Sequence, residues 1–249
     1  MSVANERLRA ALAEHNLTYL ALAEELGVNV KTVERWVAHD YIPFPRNRHR
    51  LATRLGRDEA YLFPTAVTGQ RAAAVSESEI VRVYPQFSDI SADAWRTFFE
   101  SGDSDIGILV YAGLFVAEST QLQRVIRKKA KAGASVRILL GDPDDSHVAE
   151  RGREQGIGEA LAAKVRNSMV LFSNLATVPG IEFRTHRTIL YNSIFRADDT
   201  LLVNTHLYGL PAAQAPAWHL RRIPGGQLAG HYLESFERVW ESALPIGEP

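Results

Sequence analysis

The 249-residue sequence contains no cysteine, which excludes disulfides, a thiolate nucleophile and thiolate metal sites, and fits a reducing compartment. It also lacks any apolar run approaching the roughly 18 residues that a membrane span requires. Its opening residues, MSVANERLRAAL, carry charges at helical spacing where a secretory signal would have an uninterrupted apolar stretch. A soluble, cytoplasmic protein with no membrane partner is therefore expected. Charge of one sign is missing as well: 28 basic against 29 acidic side chains leave a net charge of −1, so no global electrostatic footprint points to nucleic acid. No G-x-x-x-x-G-K-[ST] pattern occurs, which excludes a glycine-rich phosphate loop of that kind. There is no internal repeat and no low-complexity tract.

The composition present, 46% hydrophobic and 23% charged, is that of a globular protein long enough for a small module and a larger domain. Charge is unevenly placed. Between residues 31 and 57 stand seven basic residues, Lys31, Arg35, Arg46, Arg48, Arg50, Arg54 and Arg57, against only Glu34 and Asp40, so a neutral chain can present a basic face. The same stretch is helical in pattern. Leu8, Ala11, Leu12 and Ala13 recur at helical spacing. Thr18 suits the N-cap of a helix over 19–26, Gly27 a left-handed turn, and Asn29 the N-cap of a helix over 30–38. Beyond Pro43 and Pro45 a further helix runs over about 46–55 and ends at Gly56, closing an all-helical module near Pro64.

Residues 65–80 (TAVTGQRAAAVSESEI) are small, polar and weakly periodic, as linkers are. The expected organisation is thus 1–64, a linker over 65–80, and a domain over 81–249. In the latter, 106–111 and 136–140 read as buried strands flanking an amphipathic helix over 121–132, a βαβ unit. Helix is predicted over 147–172, strands over 181–184, 188–195 and 201–204, and a closing helix over 230–243 with Tyr232, Leu233, Phe236, Val239 and Trp240 on one face. The fold class expected is α + α/β: an all-α module, then an α/β domain with a mixed, mostly parallel sheet.

The segment YLALAEELGVNVKTVERW, with Ala23 permitting close approach, Gly27 in the turn and Val33 and Trp36 in the core, resembles the XRE/Cro-type helix-turn-helix family of bacterial regulators. The resemblance covers about residues 5–64. It implies that the second helix enters the DNA major groove, with Asn29, Lys31, Thr32, Glu34 and Arg35 facing DNA and Arg46, Arg48 and Arg50 flanking the backbone. Further on, HRTILYNSIFRADDTLLVNTH and the final YLESFERVWESA resemble the core hairpin and closing helix of the phospholipase D-like superfamily. Its signature is H-x-K-x4-D followed by G-S-x-N. Here His186 matches the first position, Thr188 stands for the lysine and Ser193 for the aspartate.

Loss of the lysine removes a charged donor that stabilises phosphoryl oxygens. The expectation is therefore no enzyme and no cofactor, with His186, Tyr191, Asn192, Arg196, Asn204, His206 and Tyr208 lining a pocket for a small effector, phosphate-containing molecules among them. A lone histidine is more often structural than nucleophilic, two histidines without further spacing are a weak metal signal, and Asp142, Asp144 and Asp145 suit a helix cap better than a magnesium site. The function expected is a sequence-specific, homodimeric regulator that binds double-stranded DNA. The alternative is a phosphodiesterase or nuclease using His186 and targeted by the helical module, and a third class is a module whose helices bind protein.

Overall fold

The structure is a computed structural model that describes residues 5–39, 41–64, 66, 76–223 and 226–246. The chain divides into two compact units, 1–74 and 75–249. Most of the expected linker over 65–80 lies outside the described residues.

The first unit contains α1 (Glu6–Glu14), α2 (Tyr19–Leu26), α3 (Val30–Ala38), α4 (Pro45–Arg54) and α5 (Glu59–Leu62). Each boundary has a local cause. The Asn5 and Thr18 side chains accept from the third residue onward, Leu8 N–H and Ala21 N–H, at the starts of α1 and α2. Gly27 ends α2 at φ +69°, and Asn29 caps α3 by accepting from Lys31 N–H at 2.9 Å. Asn5 also donates to Leu62 O at 2.9 Å, tying the ends of the unit together. The core is formed by Leu8, Leu12, Leu22, Leu26, Val33, Trp36, Val37, Leu51 and Leu55. On α3 the inward residues Val33, Trp36 and Val37 follow the helical period and leave Lys31, Glu34 and Arg35 exposed.

The second unit is an eight-stranded sheet with helices on both faces. Its strands are β1 (Ile80–Tyr84), β2 (Asp105–Leu109), β3 (Ser135–Gly141), β4 (Ile181–His186), β5 (Asn192–Ala197), β6 (Thr200–Thr205), β7 (Ala217–Arg221) and β8 (Leu244–Pro245), in the order β1-β7-β6-β5-β2-β3-β4-β8. The sheet is mixed, as expected, but mostly antiparallel rather than mostly parallel, because the tight β5–β6 turn at Asp198 and the strands beside it reverse direction at each step. Parallel pairing is confined to β2, β3 and β4, and the other five ladders are antiparallel. Between them run α6 (Ala92–Glu100), α7 (Leu114–Glu118), α8 (Thr120–Lys131), α9 (Ser146–Glu154), α10 (Ala160–Ala176) and α11 (Leu228–Ser242).

Strand alternation assigns the two faces. Gly107, Arg137 and Arg196 are in register and point toward α11: the Arg137 guanidinium lies over the Phe236 ring at 5.1 Å. Ile108, Phe195 and Phe183 belong to the opposite face. There the Phe195 ring meets Trp95 of α6 at 4.8 Å and Phe115 of α7 at 5.6 Å, and Phe183 meets Phe172 of α10 at 5.6 Å. On the α11 face, Arg137 and Arg196 share Asp105 and Glu237 in one partly buried ion network, with Arg196 to Asp105 at 2.7 Å and Arg137 to Asp105 at 3.1 Å.

The closing helix carries Leu233, Phe236, Val239 and Trp240 inward as predicted. Three local differences from the sequence expectation have physical causes. The predicted strand over 188–195 begins only at Asn192, because Leu190 N–H is held by the Tyr111 hydroxyl at 3.0 Å rather than by a neighbouring strand. The predicted helix over 147–172 is broken by Gly156 and Gly158, both at positive φ, between α9 and α10. Helix α6, with its buried Trp95, Phe98 and Phe99, the edge strand β1 and its neighbour β7 were not anticipated.

Gly107 is the point of closest approach between sheet and α11, since a Cβ there would lie 2.8 Å from the Phe236 ring. Gly107→Ala is expected to lower the stability of this unit by about 1–3 kcal/mol, read as a lower urea midpoint with an unchanged slope. An unaltered midpoint would mean that α11 yields without strain.

Candidate functional site

Two regions carry the functional candidates. In the first unit, Lys31, Glu34 and Arg35 form the outer face of α3, Thr32 is half-buried beside them, and Asn29 is exposed while its side-chain Oδ1 caps the helix. The Arg35 guanidinium lies 4.5 Å from the Tyr41 ring centroid, which holds it near the surface of the helix. Of the three flanking arginines only Arg46 is exposed. Arg48 is 4% exposed, donates to Pro43 O at 2.9 Å and sits 3.5 Å from the Glu59 carboxylate. The expectation that Arg48 flanks a DNA backbone is thus corrected: it is an internal brace between the loop before α4 and α5. Arg50 donates to Leu26 O and Glu25 O, closing the carbonyl end of α2, so its guanidinium is already engaged.

In the second unit a cavity of about 560 Å³ opens beside the C-terminal end of β2, reaching Val110, Tyr111 and Ala112. That place follows from topology. Strand β2 is parallel to β3 but antiparallel to β5, so the chain segments leaving the sheet diverge there and leave a crevice. The wall is largely aromatic, with Phe87, Trp95, Phe115 and Phe195. At one side Ser193 and Asn204, directly opposed on β5 and β6, bring polar atoms to the surface of the cavity beside His206.

The hydrogen bonds around His206 assign its tautomer. Nδ1 is 3.0 Å from Leu190 O, which only accepts, so Nδ1 carries the proton. Nε2 then accepts from the Ser193 hydroxyl at 3.0 Å. Burial lowers the His206 pKa from 6.5 to about 4, so the ring is neutral near pH 7. Asn204 is 1% exposed, and its Nδ2 donates toward the carbonyls of Ala212, Ala215 and Pro216. The opposite side of that amide is Oδ1, an acceptor.

His186 is placed differently. Its ring is 1% exposed, lies outside the cavity wall, donates from Nε2 to Val110 O at 3.1 Å and accepts at Nδ1 from Thr188 N–H. Burial lowers its pKa as well. Both ring nitrogens are engaged in tying β4 to the end of β2, which corrects its assignment as a pocket residue. Arg196 belongs to the ion network on the opposite face of the sheet, and Asn192 shares that alternation, so neither reaches the cavity. Tyr191 and Tyr208 are exposed and stand outside the wall. Of the seven residues expected to form one pocket, Asn204 and His206 do so. Sequence reasoning missed Ser193 as a site residue, although its position one cross-strand step from Asn204 follows once the hairpin register is known.

The signature spacing also changes once β5 is located. Asp198, at the turn between β5 and β6 with φ +51°, lies seven residues beyond Tyr191 and five beyond Ser193, the spacing of H-x-K-x4-D. Burial pushes the Asp198 carboxyl upward, but the N–H groups of Asp103, Asp105 and Ser104 outweigh it and hold the group below the ordinary value.

Residues Asp142, Asp144 and Asp145 are occupied locally. Asp142 pairs with Arg187, Asp144 pairs with Arg166, and Asp145 caps α9 by accepting from His147 N–H. Among the described residues no group of three or more histidine, aspartate or glutamate side chains is arranged to hold a metal ion, and no helix is long and apolar enough to cross a membrane.

No protein-family model matches the chain, and no curated protein matches it. Solved structures do. TrmBL2, an archaeal chromatin protein whose structure shows a novel mode of DNA binding, is 16% identical over 88% of this chain and 72% of its own, with a TM-score of 0.45. Nuc from Salmonella typhimurium, a phospholipase D family member, is 19% identical over 67% of this chain and 95% of its own, with a TM-score of 0.39. Phosphatidylserine synthase from Haemophilus influenzae Rd KW20 is 10% identical over 73% of this chain and 44% of its own, with a TM-score of 0.39. With a phospholipase D family member and a synthase among these similar structures, the expectation that the chain is not an enzyme does not stand.

The folded state holds His206 neutral down to about pH 4, whereas an unfolded histidine takes a proton near 6.5. Its contribution to stability is therefore complete above pH 6.5 and is lost as the pH falls toward 4, by about 3 kcal/mol in all. Thermal unfolding of the native chain and of His206→Gln between pH 7 and 4 measures this share: the variant's melting temperature should fall less steeply. Equal slopes would place the ring's proton affinity near its ordinary value.

Proposed function

We propose that the chain is a DNA-binding transcription regulator of the XRE type, acting as a cytoplasmic homodimer, with its DNA-binding domain over 1–64, a linker over 65–80 and an effector-binding domain over 81–249. The observation that carries this reading is α3: a helix capped at Asn29, anchored by three buried residues, with Lys31, Glu34 and Arg35 on its outer face. A rigid helix with an exposed cationic edge is suited to enter a major groove, where Lys31 and Arg35 meet phosphate or guanine acceptors and Glu34 accepts from a cytosine amine. Asn29, Thr32 and Arg46 complete the contact set, and a dimer would present two such helices to half-sites about one turn apart.

Selection from random oligonucleotides should yield a two-fold symmetric site. Lys31→Ala is expected to weaken binding to all sequences and to reduce the salt dependence of log K by about one unit, and Arg35→Ala to cost about 1–3 kcal/mol, more at the selected site than at others. Binding by both variants equal to the native chain would exclude α3 as the reading helix.

A second reading assigns phosphodiester chemistry to the second unit. It is supported by the neutral His206 held against Ser193 at the cavity wall, in place of the His186 of the sequence expectation, whose nitrogens are engaged elsewhere. Hydrolysis of a chromogenic phosphodiester that is lost in His206→Ala and retained in Lys31→Ala would favour it. Background rates in all three proteins would remove it.

A further inference from the structure

The chemistry of the cavity discriminates between ligand classes, and it does so through the direction of its hydrogen bonds. Among the described residues no arginine lines it, and the cation there is Lys164, on the exposed face of α10. At the buried polar side the side-chain donors of Ser193, Asn204 and His206 are already committed. The Asn204 Nδ2 group faces three backbone carbonyls, the His206 Nδ1 proton goes to Leu190 O, and the Ser193 hydroxyl proton goes to His206 Nε2. What these three leave for a guest are acceptors: Oδ1 of Asn204, which no donor among the described residues reaches, and the lone pairs of Ser193 Oγ. The neutral state of His206, kept by its burial, withholds a second donor proton.

A phosphate or carboxylate offers only acceptors and brings charge into an apolar wall, so it meets this side without a partner and leaves its water behind at a cost. A guest with an O–H or N–H has the opposite fit, and the rings of Phe87, Trp95, Phe115 and Phe195 suit a flat apolar body. The volume of about 560 Å³ is that of a site for a small organic molecule. We propose that the cavity of the second unit binds a neutral, mainly apolar, aromatic molecule through a hydroxyl or N–H group donated to Asn204 Oδ1 and Ser193 Oγ, and that it discriminates against phosphate-bearing molecules. The proposal rests on the effector-binding reading of this domain and replaces its phosphate-containing candidates.

Isothermal titration of the full chain with 2-naphthol, naphthalene and 2-naphthyl phosphate tests it. The three probes share one ring system and differ only in the polar group. The expected order is 2-naphthol tightest, with naphthalene and 2-naphthyl phosphate each weaker by about tenfold or more. Ser193→Ala removes one acceptor without removing a backbone tie, and should narrow the gap between 2-naphthol and naphthalene. Asn204→Asp retains an acceptor at Oδ1 and serves as the second variant only if circular dichroism shows it folded, because its Nδ2 ties are lost. Tighter binding of 2-naphthyl phosphate would overturn the proposal while leaving an occupied cavity, and would return the site to phosphodiester chemistry. Equal binding of 2-naphthol and naphthalene would overturn the donor assignment. Absence of heat with all three would overturn the effector-binding reading together with the proposal.

Discussion

The Asp198 carboxylate accepts the backbone N–H groups of Asp103, Ser104 and Asp105, and through them fixes where β2 begins against the β5–β6 turn. Asp198 itself adopts a left-handed conformation, a region that aspartate tolerates better than most side chains. Its own N–H returns to Asp105 O at 2.8 Å. This reciprocal tie sets the antiparallel register of β2 with β5, in which Ile108 faces Phe195 and Leu109 faces Ile194. A slip of one residue would exchange the faces of β5, sending Ser193 and Phe195 to the α11 side and Arg196 into the aromatic wall. The cavity exists in its present chemistry because that register is held.

The two faces of the sheet are specialised by the same alternation. On one, Arg137 and Arg196 are neutralised by Asp105 and Glu237 and covered by α11. Such a network is costly to break by removing one member, because an unpaired charge would remain partly buried. On the other face, aromatic rings of α6, α7 and the short turn at Phe87–Asp89 converge on Phe195. The arginine–carboxylate network is thus kept off this face, and Ser193 and His206, which reach the cavity, are neutral and hydrogen-bonded to each other.

Much of the first unit was legible in the chain because its determinants are local. Capping residues, a left-handed glycine and a helical period act within a few residues of one another, and α2, α3 and their caps agree with the expectation from Thr18, Gly27 and Asn29. The buried strands β2 and β3 and the inward face of α11 were equally readable from continuous apolar runs and from spacing. Arg48 was not, since an arginine is ordinarily exposed and only the fold shows it enclosed by Pro43 and Glu59. Strands β1 and β7 escaped for a related reason: five residues long and without a regular burial alternation, they carry no strong periodic signal.

What the sequence determined by itself was the inventory and its local geometry: two units, the capped helix with cationic residues outward, no thiol chemistry, and a hairpin bearing histidine, asparagine and serine. What the tertiary structure alone decided was which of those side chains share a space. His186 and His206 look alike in the chain, twenty residues apart, yet one is sealed against Val110 O and the other faces a cavity beside Ser193. That choice depends on strand register and on which sheet face each helix covers, both set by contacts between residues distant in sequence, where local spacing carries no information.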